Sequence, residues 1–105
     1  MNSPYQPARR SPRYHLHLPV SVKVADREIQ ARSENLSLHG ILLTSAYLIP
    51  VGSSVELTVG ARQLSDNRVP LTARGKVLRV QPQAAGNFAV AIECDRPFGR
   101  RWWNS

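Results

Sequence analysis

The sequence predicts an all-β fold, arranged as an antiparallel sheet or barrel. Three observations lead there. Six segments read as strands, most of them with apolar and polar residues alternating at the two-residue period of a half-buried strand. Turn-forming residues separate those segments at intervals of about 8–12 residues. The chain has 105 residues, 42% of them hydrophobic, which is enough for one domain with one modest core. Closing the sheet into a barrel hides the edges that an open sheet exposes.

Residues 1–13 contain Pro4, Pro7 and Pro12 and no apolar periodicity, so they read as an extended, flexible basic arm. From Leu16 the pattern alternates, with Leu16, Leu18, Val20, Val22 and Val24 expected inward and His15, His17, Ser21 and Lys23 outward. Pro19 lacks an N–H, which predicts an edge or a bulge in this strand. Ala25-Asp26-Arg27 reads as a turn, and a second strand is expected over residues 28–35, with Ile29 and Ala31 on one face. The polar stretch Asn35-Leu36-Ser37-Leu38-His39-Gly40 reads as a turn. Asn and Ser side-chain oxygens hold such turns by bonding nearby backbone N–H groups. Gly40 permits either a positive φ or a close backbone approach.

A third strand then covers residues 40–44, and Pro50-Val51-Gly52 turns the chain into a fourth that carries Val55, Leu57 and Val59. Residues 60–68 read as a loop with Asp66-Asn67 at its tip. The fifth strand spans residues 69–81. Its apolar phase slips between Leu71/Ala73 and Leu78/Val80, which predicts a bulge or bend near Gly75. After a loop at residues 82–86, Phe88, Val90, Ile92 and Cys94 alternate as the sixth strand. The basic tail, residues 96–105, carries Arg100-Arg101-Trp102-Trp103; Pro97 and Gly99 limit it to a short turn. Two exposed tryptophans are unfavourable, so Trp102 or Trp103 is expected to pack on the barrel or a partner.

Two motifs carry the functional reading. Arg9-Arg10-Ser11-Pro12-Arg13 places an Arg-x-x-x-Arg pattern just before the first strand, and Asn-x-Ser-x-x-Gly follows at residues 35–40. Four residues of extended chain reach at most ~14 Å, so Arg9 and Arg13 can meet one dinucleotide-sized ligand. The pair, in this order, resembles the two signature motifs of the PilZ domain family. The likeness extends through Gly75-Lys76-Val77-Leu78-Arg79 and Gly86-Asn87-Phe88-Ala89-Val90-Ala91-Ile92 and covers about residues 9–95.

The resemblance implies a six-stranded antiparallel β-barrel over residues 14–95, preceded by the arm and followed by the short tail. It implies a receptor or adaptor for the bacterial second messenger cyclic di-GMP, one that changes conformation or partner surface on binding. The ligand residues carried over are Arg9, Arg10, Arg13, Asn35, Ser37 and Gly40. Arginine forks match guanine O6 and N7 and bind phosphate bidentately. An Asn35 oxygen accepts from guanine N1 and N2, Ser37 donates to phosphate, and Gly40 lets backbone approach. The family often has Asp at this position, and the neutral Asn35 amide loses some of its charge assistance. Ala8 stands where an arginine in the family favours an intercalated ligand pair, so one ligand per domain is expected.

Composition bounds the alternatives. Fourteen Lys and Arg against seven Asp and Glu give a net charge of +7, which favours an anionic partner. A single-stranded nucleic-acid-binding barrel is the main competing reading, served by the Arg-Arg-Trp-Trp tail. A PilZ-like protein-interaction module without ligand is another. Catalysis is not expected: Ser37 and His39, two apart in a turn, have no third partner in a fixed place. His15 and His17 lack further ligands for a metal, so neither metal nor cofactor is expected. No apolar run nears the ~20 residues of a membrane span. No apolar leader precedes the arm and Cys94 is the only cysteine, so the expected location is the reducing cytoplasm. The downstream protein target is not encoded in these motifs.

Overall fold

A computed structural model describes residues 14–60 and 71–100. Seven strands follow one another in chain order. They are β1 (Pro19–Val24), β2 (Arg27–Ser37), β3 (Gly40–Ser45), β4 (Ser54–Val59), β5 (Leu71–Pro82), β6 (Phe88–Cys94) and the two-residue β7 (Gly99–Arg100). The order across the sheet is β4-β1-β2-β3-β6-β5, and β4 pairs again with β5, which closes six antiparallel strands into a barrel. β7 adds to the start of β5, with Leu71 opposite Arg100 and Thr72 opposite Gly99. The proline arm, the Asp66-Asn67 loop tip and Trp102 and Trp103 lie outside the described residues.

The core follows from the alternation. Val20 and Val22 of β1, Ile29 and Leu36 of β2, Ile41 and Leu43 of β3, and Val55, Leu57 and Val59 of β4 all point inward. Val77 of β5 and Val90, Ile92 and Cys94 of β6 complete the lining. Burying each large aliphatic chain contributes about 1.5–3 kcal/mol before conformational entropy is counted. Ile49, in the connector between β3 and β4, is fully buried. The buried Ser45 hydroxyl holds that connector, donating to the Tyr47 carbonyl at 2.8 Å and accepting from the Tyr47 N–H at 3.0 Å.

Several sequence expectations need correction, among them that of a tail limited to a short turn, which instead adds the short strand β7. Leu16 does not enter the core: it is 43% exposed and precedes β1, which starts at Pro19. Pro19 marks neither an edge nor a bulge. It is the first residue of a strand flanked on both sides, a position where a missing N–H breaks no ladder. The irregularity in β5 falls at Leu78 rather than at Gly75. Val77 opposes Ile92 and Arg79 opposes Ala91, so Leu78 is the extra residue, and it is 56% exposed. Gly75 has a different task. A Cβ there would run into the backbone carbonyl of Glu93, so β5 and β6 can meet closely only at a glycine. In β2 the observed strand also runs beyond the expected residue 35 to Ser37, and the turn shrinks accordingly.

Gly75→Ala is therefore expected to destabilise the barrel by at least about 1–3 kcal/mol through overpacking. Leu78→Ala, on an exposed bulge, should stay within about 0.5 kcal/mol of the parent. Chemical denaturation of both variants checks the contrast.

Cys94 supplies a pH signature. Burial, reinforced by the charges of Asp95 and Glu93, pushes its thiol up from 9.0 to about 11. The folded chain holds this proton more tightly than the unfolded chain, so the thiol's stabilising contribution is complete below pH 9 and is lost as pH rises towards 11. Denaturation series across that range should show a steeper fall in stability for the parent than for Cys94→Ala.

Candidate functional site

A strand repeats every two residues, and β2 breaks that repeat once. Ile29, Ala31 and Ser33 take successive inward positions. Continued unbroken, the repeat would send Asn35 and Ser37 inward as well. Instead Ser33 opposes Leu43 while Asn35 opposes Leu42, leaving Glu34 as a bulge. The extra residue turns Leu36 into the core and moves Asn35 and Ser37 to the half-exposed outer side. Such bulges re-aim side chains. The Glu34 carboxylate accepts a 2.6 Å hydrogen bond from the Thr44 hydroxyl and lies 3.5 Å from His17 Nδ1.

The hairpin that follows is tight. Ser37 pairs with Gly40, and only Leu38 and His39 form the turn. It is held from outside by the chain leaving β6: the Cys94 N–H donates to the His39 carbonyl at 2.9 Å, and the Phe98 N–H to the Leu38 carbonyl at 3.1 Å. The Ser37 hydroxyl donates to the Gly40 carbonyl at 3.3 Å, rather than accepting from an N–H as the turn motif suggested. Gly40 adopts no positive φ. A Cβ there would stand 3.0 Å from the Ile92 carbonyl oxygen, so its close approach is to β6.

Arg9, Arg10 and Arg13 lie outside the described residues, but the position of the next residue is fixed. Tyr14 forms a β-bridge with Leu36: its N–H donates to the Leu36 carbonyl at 2.8 Å and its carbonyl accepts from the Leu36 N–H at 2.9 Å. Leu36 is the central residue of Asn35-Leu36-Ser37. Tyr14, the residue that follows the arginine motif in sequence, therefore lies beside Asn35 and Ser37 of the second motif. These are separated by more than twenty residues in sequence, and no local pattern announced the bridge. The shift from Ser33 to Leu36, three residues apart on one face, was a readable trace of the bulge that the sequence reading did not use.

An open groove of about 570 Å³ lies elsewhere, lined by Lys23, Ser54, Glu56, Arg74, Gly75, Lys76 and Asp95. None of the candidate residues among those described, Asn35, Ser37 and Gly40, lines it. It carries both signs of charge, and its Arg74–Glu56 pair, 3.3 Å apart, is exposed on both sides and contributes little. The bridged motifs, rather than this concavity, are the better candidate. Among the described residues no group of three or more His, Cys, Asp and Glu is placed to hold a metal, and no helix is long and apolar enough to cross a membrane.

Comparison with known proteins agrees with the fold. The model of the PilZ domain matches residues 7–98, a span that includes both motifs and all six barrel strands. The chain belongs to the PilZ domain family. No curated protein matches it. Among solved structures, the Bacillus subtilis inhibitor of motility (MotI/DgrA) superposes with a TM-score of 0.68 at 20% identity. That match covers 85% of this chain and 43% of the other, so this PilZ chain spans less than half the length of that protein. At that identity the likeness concerns the fold.

The PilZ motif predicts a division of labour within β2. Leu36→Ala should cost about 2–4 kcal/mol, because it empties a core position. Asn35→Ala and Ser37→Ala should each cost no more than about 1.5 kcal/mol, the worth of one lost hydrogen bond. Thermal melts of the three variants check it.

Proposed function

We propose that this chain is a cyclic di-GMP receptor that acts as an adaptor, binding the messenger between the arginine arm and the outer side of β2. The observation that carries the reading is the Tyr14–Leu36 bridge, which delivers the residue after Arg13 to the middle of Asn35-Leu36-Ser37. The barrel supplies a rigid platform, with Asn35 and Ser37 held on a closed hairpin. Arg9, Arg10 and Arg13 supply charge and planar forks suited to phosphate and guanine. The Asn35 amide oxygen accepts from guanine N1 and N2, and the Ser37 hydroxyl can leave the Gly40 carbonyl to donate to a phosphate. Gly40 keeps the hairpin pressed on β6, so the platform stays in place when the arm closes.

On this reading the chain performs no reaction, and its output is the altered surface that the closed arm presents to a protein target. It works in the cytoplasm, where the messenger is made and Cys94 stays reduced. Single-stranded nucleic acid is the competing partner, on charge alone.

Calorimetry with cyclic di-GMP should show one ligand per chain at about micromolar affinity, near −8 kcal/mol. Single-stranded oligonucleotides should not compete at equal concentration. Arg13→Ala should weaken binding about ten- to a hundredfold, as expected for loss of a charge-assisted bond. Arg9→Ala should cost less, since a side chain farther from the Tyr14 anchor loses more freedom on binding. Absence of heat up to millimolar ligand would overturn the reading.

A further inference from the structure

The segment between the arm and β1 runs beside β2, yet residues 15–18 belong to no strand. Its backbone polar groups still need partners. One side chain supplies two of them. The Ser33 hydroxyl accepts from the Leu18 N–H at 2.9 Å and donates to the Leu16 carbonyl. The Ser33 N–H donates to the Leu18 carbonyl at 2.9 Å. Ser33 is a fully buried residue in a lining that is otherwise almost wholly apolar. A serine buried there has both its donor and its acceptor committed to the same three-residue stretch. That stretch leads directly to Tyr14, whose carbonyl accepts from the Leu16 N–H at 3.0 Å as well as from Leu36.

We infer that Ser33 is the positioning residue of the ligand site: its hydroxyl fastens Leu16–Leu18 to β2 and thereby sets where the arginine arm starts. Ser33 touches no ligand. It lies immediately before the Glu34 bulge, so one short piece of β2 does two things. Ser33 locks the incoming chain, and Leu36, three residues on, bridges to Tyr14. Without the hydroxyl, the Leu18 N–H and the Leu16 carbonyl lose their partner in a part-buried place. Water then competes for the segment, and Tyr14 to Leu18 take a broader set of positions. Holding that segment in place for ligand becomes more costly, and affinity falls. The inference rests on the receptor reading for its effect on affinity, while the fastening itself can be observed without ligand.

The test is a double-mutant cycle on the full chain with Ser33→Ala and Arg13→Ala, read by cyclic di-GMP calorimetry, together with amide exchange on the ligand-free proteins. Ser33→Ala should speed exchange at Leu18, Leu16 and Tyr14 while leaving β3 and β6 protected. It should weaken cyclic di-GMP binding about tenfold in the parent, but less than about twofold when Arg13 is already alanine, because the contact that depends most on the Tyr14 anchor is then already gone. Ser33→Cys, close in volume but a weaker hydrogen-bonding group, should fall between parent and Ser33→Ala in both readouts, and it stands in if the alanine variant does not fold. An equal loss in both backgrounds would overturn the inference, since Ser33 would then act on the barrel and not through the arm. Unchanged exchange at Leu16 and Leu18 would overturn the fastening directly. A parent that does not bind cyclic di-GMP defeats the receptor reading instead, and the exchange result then decides the fastening on its own.

Discussion

One extra residue in one strand decides what this barrel shows to its surroundings. Inside a closed barrel the side chains of every strand must alternate between core and exterior, and the core tolerates no slip. β2 obeys that rule as far as Ser33. Glu34 then resets the phase, so that an apolar residue, Leu36, meets the core just where two polar residues would have faced it. The same step places Asn35 and Ser37 outside. Stability and site are therefore two consequences of one bulge. Burying Asn35 and Ser37 without partners would cost several kcal/mol.

The bulge also prepares the approach of the N-terminal chain. A regular β2 hydrogen-bonds β1 and β3 on its two sides. Beyond Pro19 the β1 side of β2 has no strand opposite it, and residues 14–18 take that place by other means. A two-bond bridge at Tyr14 and a buried serine replace a ladder. Such an attachment is firm at two points and open between them. It holds residues 14–18 against β2 without making them part of the barrel wall.

Much of the fold was legible because period-two patterning is local. β3, β4 and β6 follow directly from Ile41/Leu43, Val55/Leu57/Val59 and Val90/Ile92/Cys94. Where the reading went astray, the deciding contact was distant. Leu16 continues the alternation of Leu18 and Val20 without a break, and nothing in it shows that the residues around it are fastened by Ser33 rather than by a strand. The phase slip in β5 was visible, but it was assigned to Gly75 because glycine marks bulges and close approaches alike. Its role is set by the Glu93 carbonyl across the sheet. β7 is two residues long, too short for any pattern. For the candidate site, the motifs offer Asn35, Ser37 and Gly40 as expectations from residue type alone. That Ser37 bonds to Gly40, and that Gly40 is pressed against Ile92, depends on a hairpin geometry that residue types alone do not specify.

Under the proposed function the messenger binds where Tyr14 meets Leu36, not in the charged groove lined by Lys23, Arg74 and Lys76. A nitrogen-15 NMR titration of the full chain with cyclic di-GMP tests it most directly. The account predicts that the largest shifts fall on the arm, Tyr14, Asn35, Ser37 and the Leu38–His39 turn, with Lys23, Glu56, Arg74 and Lys76 unmoved. Shifts centred on those four groove residues, with Tyr14 and Asn35 silent, would contradict it.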